Sequence, residues 1–114
     1  MIAIDTNVFV RILIDDPEEL AQNQAARNLA RAAKQVYVPQ IVQVESIWGL
    51  ETAYHIKKPV LLDILEQVAN NSAFVLQRTD CFSAAVQIFR LQHADFSDCL
   101  ILAECQVREM TLYT

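Results

Sequence analysis

Four acidic residues stand at places where the neighbouring residues predict a protein core: Asp5, Glu45, Asp95 and Asp98. A buried carboxylate without a partner is unfavourable by roughly several kcal/mol, or else it takes up a proton. None of the nine Lys and Arg residues is adjacent to these acids in the sequence. Because Mg²⁺ and Mn²⁺ take oxygen ligands and keep several waters, we expect a hard divalent cation to be the partner of these acids.

Each acid also has a structural interpretation that needs no metal. Asp5 could cap a turn, as acids at strand ends often do. Asp95 is placed to be the N-cap of a helix, and Asp98 then falls in the first turn, where acids stabilise the helix dipole. Glu45 is harder to explain in this way, because it is predicted to lie inside a helix on an apolar stripe. The metal hypothesis therefore depends on the joint pattern.

The segments around these acids alternate between short strands and longer helices. The apolar run before Asp5 predicts a buried strand, and ligands bind at the carboxyl ends of such strands in open α/β sheets. Further strands are predicted at Val36–Val38, at Ala73–Leu76 and at Leu112 and Tyr113. This alternation predicts an α/β fold, in which a short parallel sheet of about four strands has helices on both faces.

The helical segments are predicted from apolar periodicity and capping residues. They run from Thr6 to Ile14, from about Pro17 to Lys34 with Asp16 as N-cap, from about Gln40 to Ile56, from Pro59 to about Asn70, from an N-cap at Thr79 through Phe89, and from Asp95 onward. The expected core stripes are Ala21, Ala25, Leu29 and Ala32 in the second helix, Ile41, Val44 and Trp48 with Glu45 in the third, Leu61, Ile64, Leu65 and Val68 in the fourth, and Phe96, Leu100, Ala103, Val107 and Met110 in the last.

Length and composition predict one domain that covers residues 1–114 and has a dense core, since 54% of the residues are apolar. The longest apolar run is Cys99–Ala103, far below the roughly 20 residues of a membrane span. No secretory signal is recognised, so the expected compartment is the cytoplasm. The three cysteines fit buried thiols in a reducing compartment better than zinc ligands.

The net charge of −5 has the wrong sign for a protein that holds nucleic acid mainly by charge. It is explained either by a solvated acidic surface or by acids that converge on divalent cations, which would make the site attractive to phosphate. The candidates for contacting phosphate are Arg11, Lys57 and Lys58, although ordinary surface charge explains them as well.

The remaining polar residues exclude other site types. His55 and His93 are predicted near helix ends without a paired Ser, Cys or second ligand, which argues against a hydrolase triad. Gly49 is the only glycine, so the chain has no glycine-rich phosphate loop. Thr6 and Asn7 could bond to a carboxylate or to a water on a metal, or cap a turn.

Three segments resemble the PIN domain of VapC-type toxins, and together they span the chain. They read MIAIDTN at Met1–Asn7, VPQIVQVE at Val38–Glu45 and DFSDCLILA at Asp95–Ala103. The resemblance implies an α/β/α sandwich with a parallel sheet. It also implies an endoribonuclease that depends on Mg²⁺ or Mn²⁺, acts on RNA, forms a homodimer and is controlled by a cognate antitoxin protein.

The same resemblance implies roles for individual residues. Asp5, Glu45 and Asp98 would be the catalytic, metal-binding acids, supported by Thr6 or Asn7 and by Asp95. Members of the family typically carry a fourth acid in a T-x-D segment after the last strand. This sequence ends at Thr114, where that segment would begin, so we expect a domain without its C-terminal segment.

The sequence is also compatible with two other functions. A PIN-like domain without the fourth acid could be a catalytically silent binding module that acts through dimerisation or antitoxin binding. A phosphatase or phosphotransferase could use Asp5 as a covalent nucleophile, since an apolar strand followed by Asp suggests it. Against the second alternative, Asn7 stands where haloacid-dehalogenase-like enzymes carry a second aspartate.

Overall fold

The computed structural model describes residues 1–114 and has an α/β architecture of six helices and one short parallel sheet. In chain order the elements are β1 (Ile2–Ala3), α1 (Thr6–Leu13), α2 (Leu20–Ala33), β2 (Val36–Val38), α3 (Gln40–Thr52), α4 (Lys58–Asn70), β3 (Phe74–Leu76), α5 (Thr79–Leu91) and α6 (Phe96–Val107). The predicted α/β class and the parallel sheet are confirmed.

The sheet has the strand order β1-β2-β3, with β2 in the centre. Ile2 pairs with Val36, and Val36 pairs with Phe74, so all three strands run in the same direction. The β-branched residues Val36 and Val38 of the central strand are fully buried. Since the helices α1, α3 and α5 each begin within three residues of a strand end, their N-termini lie at one edge of the sheet.

The predicted fourth strand at Leu112 and Tyr113 is wrong, because the sheet contains three strands. The backbone after α6 turns through Glu109, whose φ is 56°, and Met110 N donates to Cys105 O at 2.8 Å. Leu112 and Tyr113 then remain exposed. Two apolar residues without a buried anchor do not hold the chain against a sheet edge.

The core joins the sheet to the helices through aromatic side chains. The Phe96 ring makes edge-to-face contacts with Phe82 and Phe89, at centroid distances of 5.7 and 5.8 Å. On the other side of the core, Phe9 contacts Phe74 at 5.5 Å. Pairs of this geometry are worth about 0.5–1.5 kcal/mol beyond the area they bury. Phe96 therefore fixes the first turn of α6 against α5.

The predicted core stripe of α3 is wrong for Ile41 and Trp48, whereas Val44 is half-buried and packs against the core. Ile41 is 64% exposed and Trp48 is 68% exposed, whereas Val42, Ile47 and Leu50 are buried. Because α3 carries apolar residues on both sides, periodicity alone does not decide which side faces the core. The packing of α3 against α1 and α6 decides it, and leaves an exposed apolar side.

The predicted start and core stripe of α2 are also wrong. The helix begins at Leu20 instead of Pro17, because Asp16 makes a turn in which its Oδ1 accepts from Glu18 N at 3.0 Å. Of the predicted stripe, all four residues are exposed, and α2 instead buries Asn23 and Ala26. The guanidinium of Arg27 donates to carbonyls of the α1 C-terminus and fixes this rotation.

Smaller differences concern helix ends. In α6, Phe96, Leu100 and Ala103 are buried as predicted, but Val107 is exposed, and Met110 lies after the helix end and is exposed as well. The helix α3 ends at Thr52, because His55 adopts a φ of 54° and the chain turns there. At the start of α5 the N-cap is Arg78, and the Thr79 hydroxyl donates to Leu76 O at 2.9 Å. No helix has the length and apolar character that crossing a membrane requires.

Candidate functional site

Asp5 lies between β1 and α1, at the carboxyl edge of the sheet. Its Oδ1 accepts a hydrogen bond from Val8 N at 3.0 Å, so the side chain is the N-cap of α1. The preceding residue, Ile4, is buried and anchors the segment, while Asp5 itself is exposed. The carboxylate therefore caps a helix and has a second oxygen that is free for another partner.

Glu45 lies on the exposed side of α3, in its second turn. The start of α3 is tied to the sheet by Gln43, whose Nε2 donates to Val38 O and Gln77 O, both at 3.0 Å. Gln43 is fully buried, and Glu45 is only two residues further along the helix. These two hydrogen bonds of Gln43 form a clamp that holds α3, and with it the Glu45 carboxylate, at the edge of the sheet.

Asp95 and Asp98 flank the residue that anchors α6. Asp95 is the N-cap residue by backbone position, but its side chain accepts no capping hydrogen bond. Asp98 is in the first turn, and both acids are exposed on either side of buried Phe96. The capping bond that would explain Asp95 structurally is thus missing.

A small cavity between α3 and α6 brings three carboxylates together. Its volume is about 160 Å³, and its polar walls come from Glu45, Glu51, Asp95 and Ser97. No Lys or Arg lines it. Partial burial raises the pKa of the Glu51 carboxyl, the charge of Asp95 raises it further, and Lys58 lowers it. The cavity is a place of crowded negative charge.

The structure unites only part of the predicted metal-binding set. Glu45 and Asp95 share the cavity, whereas Asp5 and Asp98 are not among its lining residues. No group of three or more His, Cys, Asp or Glu side chains is arranged as a ready ion site. The donor chemistry nevertheless fits Mg²⁺ or Mn²⁺, because such ions need only one or two carboxylates together with waters and phosphate oxygens.

None of the predicted acids has a cationic partner. The ion pairs of the chain join Arg27 to Asp15, Arg78 to Asp80 and Glu104, Arg90 to Glu66, and Arg108 to Glu104. Asp5, Glu45, Asp95 and Asp98 are outside this set. All four acids are exposed, so the burial that the sequence predicts for them, and the need for a partner that follows from burial, is not observed.

The supporting and phosphate-binding candidates lie in two places. Thr6, Asn7 and Arg11 line a separate cleft between α1, α2 and α3. Lys57 is the exposed N-cap residue of α4. Lys58 donates to Gln92 O and lies 4.6 Å from the centroid of the Phe89 ring, so its ammonium group is engaged within the protein.

Glu51 is the residue of this region that the sequence interpretation missed. It follows Trp48 by three residues, as Trp48 follows Glu45, so a helical spacing of three could have identified it. Apolar periodicity places Trp48 in the core, and this obscures the signal. Once α3 is rotated as observed, the three residues share the exposed side, and Glu51 becomes part of the cavity wall.

Comparison with known proteins agrees with the motifs. The model of the PIN domain family matches residues 2–114. The chain is also similar to the VapC ribonuclease of Aquifex aeolicus (strain VF5), with 23% identity over 98 residues that cover 85% of this chain and 73% of that relative. The resemblance predicted from three segments is confirmed. Because the family model spans almost every residue, the chain belongs to the PIN domain family.

Proposed function

We propose that this protein is an endoribonuclease that depends on Mg²⁺ or Mn²⁺ and acts as the toxin of a toxin-antitoxin pair. The observation that carries the proposal is the cavity between α3 and α6, where Glu45, Glu51 and Asp95 meet without a Lys or Arg in the wall. Family membership and the VapC ribonuclease relative support the same activity. The proposed reaction is hydrolysis of an RNA phosphodiester bond.

In this proposal the family motifs assign the cation to Asp5, Glu45 and Asp98, of which only Glu45 lines the cavity. Asp95, which shares the cavity with Glu45, and Thr6 or Asn7 support them. When bound, a divalent cation supplies a more acidic water and offsets negative charge on the reacting phosphate. The residues contribute rigidity: Val8 N fixes one oxygen of Asp5, and Gln43 clamps the helix of Glu45.

The proposed partners are an RNA substrate, a cognate antitoxin protein and a second copy of the chain. The exposed apolar side of α3, which includes Ile41 and Trp48, supports the involvement of a protein partner, because large exposed apolar side chains often mark interaction surfaces. The cytoplasm is the proposed compartment, since its reducing conditions suit three free thiols.

The decisive experiment measures cleavage of a labelled single-stranded RNA by the purified protein. We expect cleavage with Mg²⁺ or Mn²⁺, its loss in EDTA and its return when the cation is restored. Glu45→Gln and Asp98→Asn should each lower the rate at least a hundredfold, whereas Asp63→Asn on α4 should leave it unchanged. A Glu45→Gln variant as active as the parent, or cleavage that survives EDTA, would contradict the proposal.

A catalytically silent binding module remains the second candidate, and one observation favours it. No three acidic, His or Cys side chains are grouped as a ready ion site. Calorimetric titration with Mn²⁺ separates the two candidates. A nuclease should show a specific site that Asp98→Asn abolishes, whereas a silent module should show none.

A further inference from the structure

A second cleft, distinct from the acidic cavity, opens between α1, α2 and α3. It has a volume of about 250 Å³, and its walls include Thr6, Asn7, Arg11, Gly49 and Tyr54. Thr6 directly follows Asp5, so the cleft begins beside the acid that caps α1. Its volume is just below the roughly 300–1,000 Å³ of drug-sized ligand pockets, so it suits one nucleotide-sized group rather than a longer segment.

Gly49 is a glycine that the fold does not require. It lies inside α3, and its φ is not positive. A Cβ added to it would meet no atom within 4 Å, so no close packing excludes a side chain. Glycine destabilises the interior of a helix relative to alanine. The structural consequence of glycine here is a wider cleft, because Gly49 forms part of the wall.

Arg11 supplies a cation to this cleft. Its side chain takes part in no ion pair, whereas Arg27, Arg78, Arg90 and Arg108 are all paired with acids. Glu19 also lines the cleft, but it lies beyond ion-pair distance of Arg11. A half-buried guanidinium without a carboxylate partner is suited to a phosphate group.

Tyr54 supplies an aromatic ring at the same cleft. It follows the C-terminus of α3 and is 42% exposed, so its ring is accessible at the cleft wall. Exposed aromatic rings stack on the bases of single-stranded nucleic acid. Asn7 adds amide donors and acceptors of the kind that read base edges.

We propose that this cleft is a nucleotide subsite for single-stranded RNA, in which Tyr54 stacks on a base, Arg11 contacts a phosphate and Gly49 leaves the space for the base. The inference rests on the proposed ribonuclease function and adds the place where the strand lies beside Asp5. A protein segment in the same cleft is the competing occupant, and the experiment separates the two.

The experiment measures binding of a fluorescently labelled single-stranded RNA by anisotropy, with Mg²⁺ present and the full chain carrying Asp98→Asn to prevent cleavage. In this background, Gly49→Met adds a long side chain at the cleft wall; its Cβ meets no atom within 4 Å, and Met is a better helix former than Gly. Tyr54→Ala removes the ring and Tyr54→Phe keeps it. Ser83→Met on α5, which is exposed and outside the cleft, is the matched control for Gly49→Met.

We expect Gly49→Met and Tyr54→Ala each to weaken RNA binding about tenfold, as loss of one stacked base does. Tyr54→Phe and Ser83→Met should bind within about twofold of the background protein. Arg11→Gln should weaken binding and reduce its salt dependence, whereas Arg11→Lys should retain part of both. Thermal melting checks that Gly49→Met is as stable as its background.

Two results would overturn the inference in distinguishable ways. If the background protein binds RNA and the Gly49→Met and Tyr54→Ala variants bind equally well, the subsite is wrong and the ribonuclease proposal is untouched. In that case a protein segment becomes the better occupant. If the background protein does not bind RNA and the unmodified protein does not cleave it, the proposed function fails, and the subsite with it.

Discussion

Gln43 and Gln77 tie the start of α3 to the ends of two strands. The side-chain amide of Gln43 donates to Gln77 O and Val38 O, both at 3.0 Å, and the Gln77 Oε1 accepts from Gln40 N at 2.8 Å. The two acceptor carbonyls lie at the end of β2 and directly after β3, so the Nε2 of Gln43 points toward both strands. This pairing sets the position of α3, and with it the position of Glu45.

Replacing Gln43 by Leu should destabilise the fold by about 1–2 kcal/mol, because Gln77 O loses this donor while Val38 O keeps its bond from Gln77 N. Loss of the buried, unpartnered Oε1 of Gln43 offsets part of this cost. Urea denaturation measures this as a lower midpoint with an unchanged slope. The exposed Gln67→Leu on α4 is the control and should change stability by less than about 0.5 kcal/mol. A Gln43→Leu variant as stable as this control would show that the clamp contributes nothing.

Asp5 should combine a capping role with a chemical role, and the two can be separated. Asn is as good an N-cap as Asp, so Asp5→Asn should change stability by only a few tenths of a kcal/mol, roughly, whereas Asp5→Ala should lose about 1 kcal/mol. Both variants should lose RNA cleavage. Thermal melting and the cleavage assay are run on the same preparations. Full activity in Asp5→Asn would reduce Asp5 to a cap.

Local chemistry in the sequence predicted the strands that carry β-branched runs and the existence of all six helices, and it singled out Glu45 and Asp95, which share the cavity. It did not predict the rotation of α3, since Ile41 and Trp48 on one side compete with Ile47 and Leu50 on the other. The choice is made by the long-range contacts of α3 with α1 and α6. The position of Glu51 is not predicted for the same reason, because the rotation of α3 decides whether its side of the helix faces the core or the surface.

The two sides of α3 should therefore respond differently to substitution. Trp48→Gln should change the free energy of unfolding by less than about 0.5 kcal/mol, because the indole is 68% exposed. Leu50→Ala should lose about 2–5 kcal/mol, because the side chain is fully buried. Urea denaturation of the two variants measures their free energies of unfolding. Equal losses would mean that the outer side of α3 is covered in solution.

Trp48 should report cation binding, since it is the only tryptophan and lines the cavity with Glu45 and Glu51. We expect its fluorescence to be accessible to acrylamide and to be quenched by Mn²⁺, whose unpaired electrons quench nearby indoles. Mg²⁺, which has none, should reverse the quenching by competition. Glu45→Gln should weaken the Mn²⁺ effect, and Asp63→Asn should not. Quenching of equal strength in both variants would place the ion elsewhere.

The three thiols should differ in reactivity because the fold protects two of them. Burial raises the pKa of Cys81 and of Cys99, whereas Cys105 is only partly buried and is free. A disulfide reagent at pH 8 should thus modify Cys105 rapidly and the other two slowly, and Cys105→Ser should remove the fast phase. In denaturant all three should react together. Rapid modification of all three thiols in the native protein would contradict the packing of α5 against α6.

The raised pKa values of Cys81 and Cys99 also affect stability, because unfolding lets these two thiols ionise near their usual pKa of about 8.5. The unfolded state then binds fewer protons than the folded state, so stability should fall as the pH rises above about 8.5. Urea denaturation at several pH values measures this fall, and a stability that stays constant or rises above about pH 8.5 would contradict it.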